Sequence, residues 1–194
     1  SAGFHPGDLV IIAGRPVMGK TSLALSIARN AAVDHKESVG IFSLEMADHQ
    51  IAMRLLCAEP KVDSHLDRTG NLPKSQWKNL SIHVGTLAEA PIYLDDSPAI
   101  TVLELRAKAR RLKAEHDVKM IIVDYLQLMQ GPKGIESRQQ EFSIITRSLK
   151  SLAKDLKIPI VALSQLLSLI PIPEPTRPLY NTYAVFCWKK KKHI

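Results

Sequence analysis

The stretch "GRPVMGKTS", Gly14 to Ser22, lies between the apolar run "DLVIIA" and the helix-like run "LALSIARNAA". A strand, a glycine-bearing loop and a helix in that order constrain the fold more than any other part of the chain. Strand and helix must pack together across a very short connection. Gly14, Gly19, Lys20 and Thr21 match the phosphate-loop pattern position for position. Glycine permits backbone conformations that turn successive N–H groups inward, which makes a nest for an anion. A helix starting at Gly19 adds its positive N-terminal end. Lys20 supplies a point charge for the β- and γ-phosphates, and the Thr21 hydroxyl supplies an oxygen ligand for Mg²⁺. The pattern predicts a site for a nucleotide triphosphate and Mg²⁺ built from Gly14, Arg15, Pro16, Met18, Gly19, Lys20, Thr21 and Ser22. The competing reading is a tight turn that merely contains Gly and Lys.

The rest of the chain repeats the alternation. "VGIFSLE" (39–45), "PIYLDD" (91–96), "MIIVDY" (120–125) and "IPIVALSQ" (158–165) are short and almost continuously apolar, as is "DLVIIAG" (8–14). Such runs suit strands buried on both faces, as in a parallel sheet. Between them, "KTSLALSIARNAA" places Leu23, Ile27 and Ala31 on one helical face. Thr101 with Glu104, and Ser137 with Gln140, read as capping boxes that open two further helices. Residues 60–90 read as short helices broken at Gly70 and Pro73, an excursion between the second and third strands. The expectation is an α/β fold, a mostly parallel central sheet flanked by helices.

Composition sets limits on what such a fold does. At 194 residues the chain is long enough for one sizeable domain. No apolar run approaches the roughly 18 residues of a membrane span, and "SAGFHPGD" does not read as a secretion signal. Cys57 and Cys187 make no disulfide framework and no metal spacing; Cys57 reads as a small core residue. The net charge is +7, and Lys189 to Lys192 account for four of those charges. The remaining charge is compatible with nucleic acid without demanding it. The last thirty residues differ in kind. Pro171, Pro173, Pro175 and Pro178 exclude a helix and a central strand there, although "TYAVFCW" has the character of one more strand.

Three strand tips carry polar residues that suit a phosphate site. Ligands of open α/β sheets gather at the carboxyl ends of strands. Asp124 ends "MIIVD" and is placed to hold Mg²⁺ with Thr21; an ordinary turn-capping Asp is the alternative. Glu45 ends "VGIFSLE", where it is either a general base for water or a helix N-terminal Glu favoured by the dipole. Gln165 ends "IPIVALSQ", either touching the γ-phosphate or simply polar. The segment "MQGPKGIESRQQ" (129–140), with Lys133 and Arg138, reads equally as a DNA-touching loop or a surface loop. Arg106, Lys108, Arg110, Arg111 and Lys113 read as a solvated helix face in preference to a binding surface.

Taken together, "GRPVMGKTS", "FSLEM", "APIYLDDSP", "LELRAKARRLK", "IIVDYLQLMQG", "RQQE" and "ALSQL" resemble the RecA-like motor domain of DnaB-type replicative DNA helicases, in family order over residues 3 to 166. The resemblance implies a RecA-like P-loop NTPase fold. Lys20 and Thr21 correspond to the Walker A pair, Asp124 to the Walker B aspartate, Glu45 to the catalytic glutamate and Gln165 to the sensor. It implies ATP-driven translocation on single-stranded DNA as a hexameric ring that unwinds duplex, with primase and a helicase loader as partners. The corresponding location is the bacterial cytoplasm, the nucleoid or an organelle stroma.

Two departures accompany the resemblance. The chain opens at the motor domain, without the family's N-terminal domain. After Leu166 the family's charged stretch and its basic finger toward the neighbouring subunit do not appear, so the C-terminal part is truncated or divergent. The expected organisation is residues 1–166 as the ATPase domain and 167–194 as a Pro-rich, Lys-ending tail. Weak ATPase activity is expected in isolation. The alternatives are a RecA-superfamily ATP-binding protein that is not a helicase, and an inactive nucleotide-binding fragment.

Overall fold

Strands buried on both faces need helices on both faces, and the chain supplies them in alternation. The computed structural model describes residues 3–57, 74–131, 137–165 and 184–187. The strands are β1 (Leu9–Gly14), β2 (Val39–Ser43), β3 (Ile92–Asp95), β4 (Met120–Asp124), β5 (Ile160–Gln165) and β6 (Ala184–Cys187). The helices are α1 (Lys20–Arg29), α2 (Asp48–Cys57), α3 (Lys74–Ala88), α4 (Val102–His116) and α5 (Arg138–Leu156). The sheet order is β3-β2-β4-β5-β1-β6, and every pairing is parallel. "TYAVFCW" does contain a strand: Ala184 to Cys187 pair with Val10 to Ala13.

Because successive strand side chains alternate between faces, each central strand feeds two cores. Ile121, Val123, Ile160 and Ala162 pack with Leu105 and Ala109 of α4 and with Ile145, Leu149 and Leu152 of α5. Met120, Ile122, Val161 and Leu163 pack on the opposite face with Ala24, Leu25 and Ala28 of α1 and Ile51 and Leu55 of α2. Each fully buried aliphatic side chain contributes roughly 1.5–3 kcal/mol of transfer free energy.

Two sequence expectations need correction. The inner face of α1 is Ala24, Leu25 and Ala28, not the stripe that begins at Leu23; Leu23 is 37% exposed, whereas Ile27 and Ala31 are partly buried. The reason is distance: alanine lets the helix after the glycine loop lie close on the sheet. The Thr101 capping box forms, with Thr101 Oγ1 accepting from the Glu104 N–H and Glu104 Oε2 accepting from the Thr101 N–H. Ser137 is the N-cap of α5 but makes no side-chain cap. Its helix instead sends Glu141 Oε1 to the Gly131 N–H at 2.8 Å.

Of the helical excursion expected over 60–90, the described part is the single helix α3, which lies between β2 and β3 in sequence. Gly70, Pro73, the Cys57 side chain and residues 166–183 and 188–194 lie outside the described residues. The basic run on α4 is held within the fold. Arg106 and Arg110 share Asp155 of α5, Lys108 pairs with Asp95, Arg111 with Glu115 and Lys113 with Asp117.

Candidate active site

A parallel sheet gathers its strand ends along one rim, and four of the six tips bring the predicted residues to one place. β1 ends at Gly14, which is in register with Gln165 at the end of β5. Gly19 has φ 82° and ψ 22°, a left-handed conformation that glycine adopts without a Cβ clash, and α1 begins there with no side-chain cap. The first-turn N–H groups of α1 are therefore available to an anion.

Lys20 Nζ donates to the Gly14 and Arg15 carbonyls, both at 2.9 Å, so the ammonium curls back over the loop. Partial burial pulls its pKa below the ordinary lysine value, against the opposing pull of Asp124 and Glu45. Both carboxylates therefore lie within electrostatic reach of this amine. Arg15 and Pro16 are exposed on the loop, Met18 is half-buried, and Ser22 is exposed on the first turn of α1.

Asp124 is the last residue of β4 and only 6% exposed. Its Oδ2 accepts a 2.8 Å hydrogen bond from Thr21 Oγ1. Burial raises its pKa; the Thr21 hydrogen bond works the other way, Glu45 raises it further, and Lys20 and Arg54 lower it. Ser43 of β2 is in register with Asp124, and the Leu44 N–H donates to the Asp124 carbonyl at 2.7 Å. Just beyond the strand, Ser43 Oγ donates to the Met46 carbonyl at 2.7 Å and accepts from the Met46 N–H at 3.2 Å. Glu45 is exposed within that turn, and its charge acts on the buried Asp124.

The arrangement is suited to a hard cation and a polyphosphate. A hydroxyl and a carboxylate held together by one hydrogen bond are oxygen donors, the chemistry Mg²⁺ prefers. Among the described residues no group of three or more His, Cys, Asp or Glu is placed to hold a metal ion by itself. An ion here would complete its shell from phosphate and water.

A family profile described as DnaB-like helicase C terminal domain matches residues 1–179. The chain belongs to the DnaB-like helicase C-terminal domain family. Replicative DNA helicase DnaC of Bacillus subtilis (strain 168) is 49% identical over 182 residues, 93% of this chain and 40% of that protein. Replicative DNA helicase DnaB of Geobacillus stearothermophilus is 48% identical over 182 residues, again 93% of this chain and 40% of that protein. The chain thus spans about two fifths of the length of these relatives.

Solved structures give the same answer for this DnaB-like domain. The ATPase domain of G40P superposes with a TM-score of 0.80 at 30% identity, over 86% of this chain and 60% of that one. A DnaB-like replicative helicase, described with its interactions with primase, superposes at 0.81 and 30% identity, over 92% of this chain and 43% of that one. The RecA-like fold expected from the motifs is therefore the fold of this DnaB-like domain.

Lys133 and Arg138 belong to the loop read for DNA contact, apart from the nucleotide residues. Lys133 lies outside the described residues. Arg138 opens α5 with its side chain 81% exposed, 3.9 Å from Glu141, and donates to the Gln127 carbonyl at 3.4 Å. Sequence reasoning also passed over Gln127. Its Nε2 donates to Ser164 Oγ at 2.9 Å and to the Gln165 carbonyl at 2.8 Å, and its Oε1 accepts from the Gln165 N–H at 3.2 Å. The available signal was one amide inside the apolar "YLQLM". No helix among the described residues is long and apolar enough to cross a membrane.

Proposed function

We propose that this chain is the ATP-hydrolysing motor unit of a replicative DNA helicase. The observation that carries the proposal is the meeting of Lys20, Thr21, Asp124 and Gln165 at one rim, with Glu45 in electrostatic reach. Residues Gly14 to Ser22 receive the triphosphate, with the α1 N–H groups and Lys20 meeting its charge. Thr21 and Asp124 hold Mg²⁺, which neutralises charge on the transferring phosphoryl group. Glu45, exposed and next to this charge, orients the attacking water and takes its proton. Gln165, set beside Gly14 by the sheet register, contacts the γ-phosphate.

Residues 1–166 form the nucleotide unit in this reading, and 167–194 are appended to it, with β6 laid against β1. In the hexameric ring that the resemblance implies, a neighbouring subunit's basic finger brings a cation to each site. Such a cation changes rates by roughly 10³–10⁵ in related phosphoryl-transfer systems, so the isolated chain turns over slowly. Lys133 and Arg138 contact single-stranded DNA phosphates, and charge neutralisation there makes binding fall steeply with salt. Primase and a loader act as partners of the assembled ring, in the cytoplasm or its organelle counterpart.

The test is Glu45→Gln in the purified chain under single-turnover conditions. Hydrolysis falls by roughly 10²–10⁴ while nucleotide affinity is kept. Unchanged hydrolysis removes Glu45 from the mechanism. Turnover in the parent chain as fast as an intact ring motor removes the need for a neighbour's cation. A second measurement concerns DNA: the double change Lys133→Ala with Arg138→Ala makes the salt dependence of single-stranded DNA binding shallower. An unchanged slope places DNA elsewhere.

A further inference from the structure

We infer that Gln127 is a positioning residue that builds the sensor tip of β5, a reading that rests on Gln165 contacting the γ-phosphate. The inference starts from an incomplete ladder. β4 pairs with β5 only from Ile121↔Ile160 to Val123↔Ala162, and β4 itself ends at Asp124. On its β1 side, β5 stays paired through Gln165. On its β4 side, no strand among the described residues lies beside Ser164 and Gln165. The Gln127 amide takes that place. It donates to the Gln165 carbonyl, accepts from the Gln165 N–H and donates to Ser164 Oγ. A carboxamide has the same donor and acceptor as a peptide group, so one side chain continues the ladder where the backbone has turned away.

The orientation of this amide is fixed by its partners. Reversing it sets oxygen against the Gln165 carbonyl and nitrogen against the Gln165 N–H, losing the main-chain hydrogen bonds. The base of the clamp is equally fixed. Leu126 is fully buried and Met129 is 3% exposed, so the short turn carrying Gln127 is pinned in the core. The Leu128 N–H donates to the Tyr125 carbonyl at 3.2 Å, closing that turn. Gln127 therefore ties the segment just after Asp124 to the residue beside Gly14. The metal side and the γ-phosphate side of the site share one rigid joint. Without the clamp, both main-chain groups of Gln165 lose their partner and the strand tip frays away from the phosphate.

The experiment measures affinity for Mg²⁺-ATPγS and Mg²⁺-ADP in the 194-residue chain, in Gln127→Met, Gln165→Ala and the double variant. Methionine keeps length and apolar bulk without the hydrogen bonds. The parent prefers ATPγS. Gln165→Ala loses that preference about tenfold, the worth of one hydrogen bond to a charged group. Gln127→Met loses it to a similar extent with ADP affinity unchanged, and the double variant loses no more than Gln165→Ala alone. Equal weakening of both nucleotides, or full additivity in the double variant, overturns the clamp and leaves Gln127 a structural residue. A preference retained in Gln127→Met but lost in Gln165→Ala overturns the clamp while sparing the sensor. A preference absent from the parent, or untouched by Gln165→Ala, removes the sensor and the clamp with it. Gln127→Glu guards against misfolding of the methionine variant. Its carboxylate accepts from the Gln165 N–H but faces the carbonyl without a donor, so it too loses the preference; a Gln127→Glu chain with full preference overturns the clamp.

Discussion

Thr21 Oγ1 lies 2.8 Å from Asp124 Oδ2, joining the first turn of α1 to the tip of β4 across 103 positions of sequence. The bond brings the two proposed Mg²⁺ ligands together and gives a buried carboxylate its side-chain donor.

Thr21→Val removes both uses of that hydroxyl at once. The nucleotide-free chain loses about 1–3 kcal/mol of stability, the cost of an unpaired buried acceptor. Mg²⁺-dependent nucleotide binding falls at least about tenfold. Thr21→Ser keeps both properties. Thermal melts and nucleotide titration with and without Mg²⁺ read the two effects separately, and a valine variant indistinguishable from the parent defeats the assignment.

Asp124→Asn separates function from stability. The amide oxygen still accepts from Thr21, while the penalty for burying charge disappears. In EDTA the variant melts at a higher temperature than the parent, and it no longer binds nucleotide in a Mg²⁺-dependent way. A lower melting temperature means that the carboxylate is better satisfied by its neighbours than its burial implies.

Gly131→Ala tests the brace between the loop and α5. An added Cβ sits 2.5 Å from Glu141 Cγ and 2.9 Å from Glu141 Oε1, so the Glu141 side chain swings out and its bond to the Gly131 N–H breaks. The cost is about 1 kcal/mol, one ordinary hydrogen bond. Glu141→Ala costs a similar amount, and the double variant costs no more than either alone. Additive losses in denaturant melts disprove the brace.

Asp117 supplies a pH signature. Hydrogen bonds from Lys113 and then Lys119 lower its carboxyl from 3.8 to about 2. A depressed carboxylate stabilises above its unfolded value and loses that effect as the pH falls through its folded value. The melting temperature of the parent therefore exceeds that of Asp117→Asn by a small, constant margin down to about pH 4, and the margin closes by about pH 2. Asparagine tolerates the left-handed backbone at this position, φ 46°, so conformation is not at issue. A margin that persists at the lowest pH assigns the effect to something other than ionisation. Because the group is exposed, the margin is small throughout.

What the sequence made legible is the chemistry tied to local pattern. Gly19 before Lys20 and Thr21, and Asp124 at the close of an apolar run, are set by short-range backbone rules that a reader can apply one segment at a time. The inner face of α1 was not legible, because Leu23 and Ala24 differ in hydrophobicity in the wrong direction and only the nearness of the sheet selects alanine. Gln127 was not legible either. Its role depends on where β4 stops relative to β5, a register that no local pattern contains. The pairing of Arg106 and Arg110 with Asp155 has the same character, since residues on two separate helices, 49 positions apart for Arg106, must meet before those charges pair.

The order β3-β2-β4-β5-β1-β6 also has a temporal meaning. On the ribosome β1 emerges first, yet Leu9 finds its neighbour Ile160 only when the β5 segment has been made. The partners of β2, β3 and β4 among one another are all made before β5, which leaves β4 with an unpaired border and β1 without a neighbour until then. Long-range pairing of this kind is slow and exposes sticky edges while it lasts. The phosphate loop thus joins the rim only once β5 has been made, and the nascent domain acquires its affinity for nucleotide late in translation.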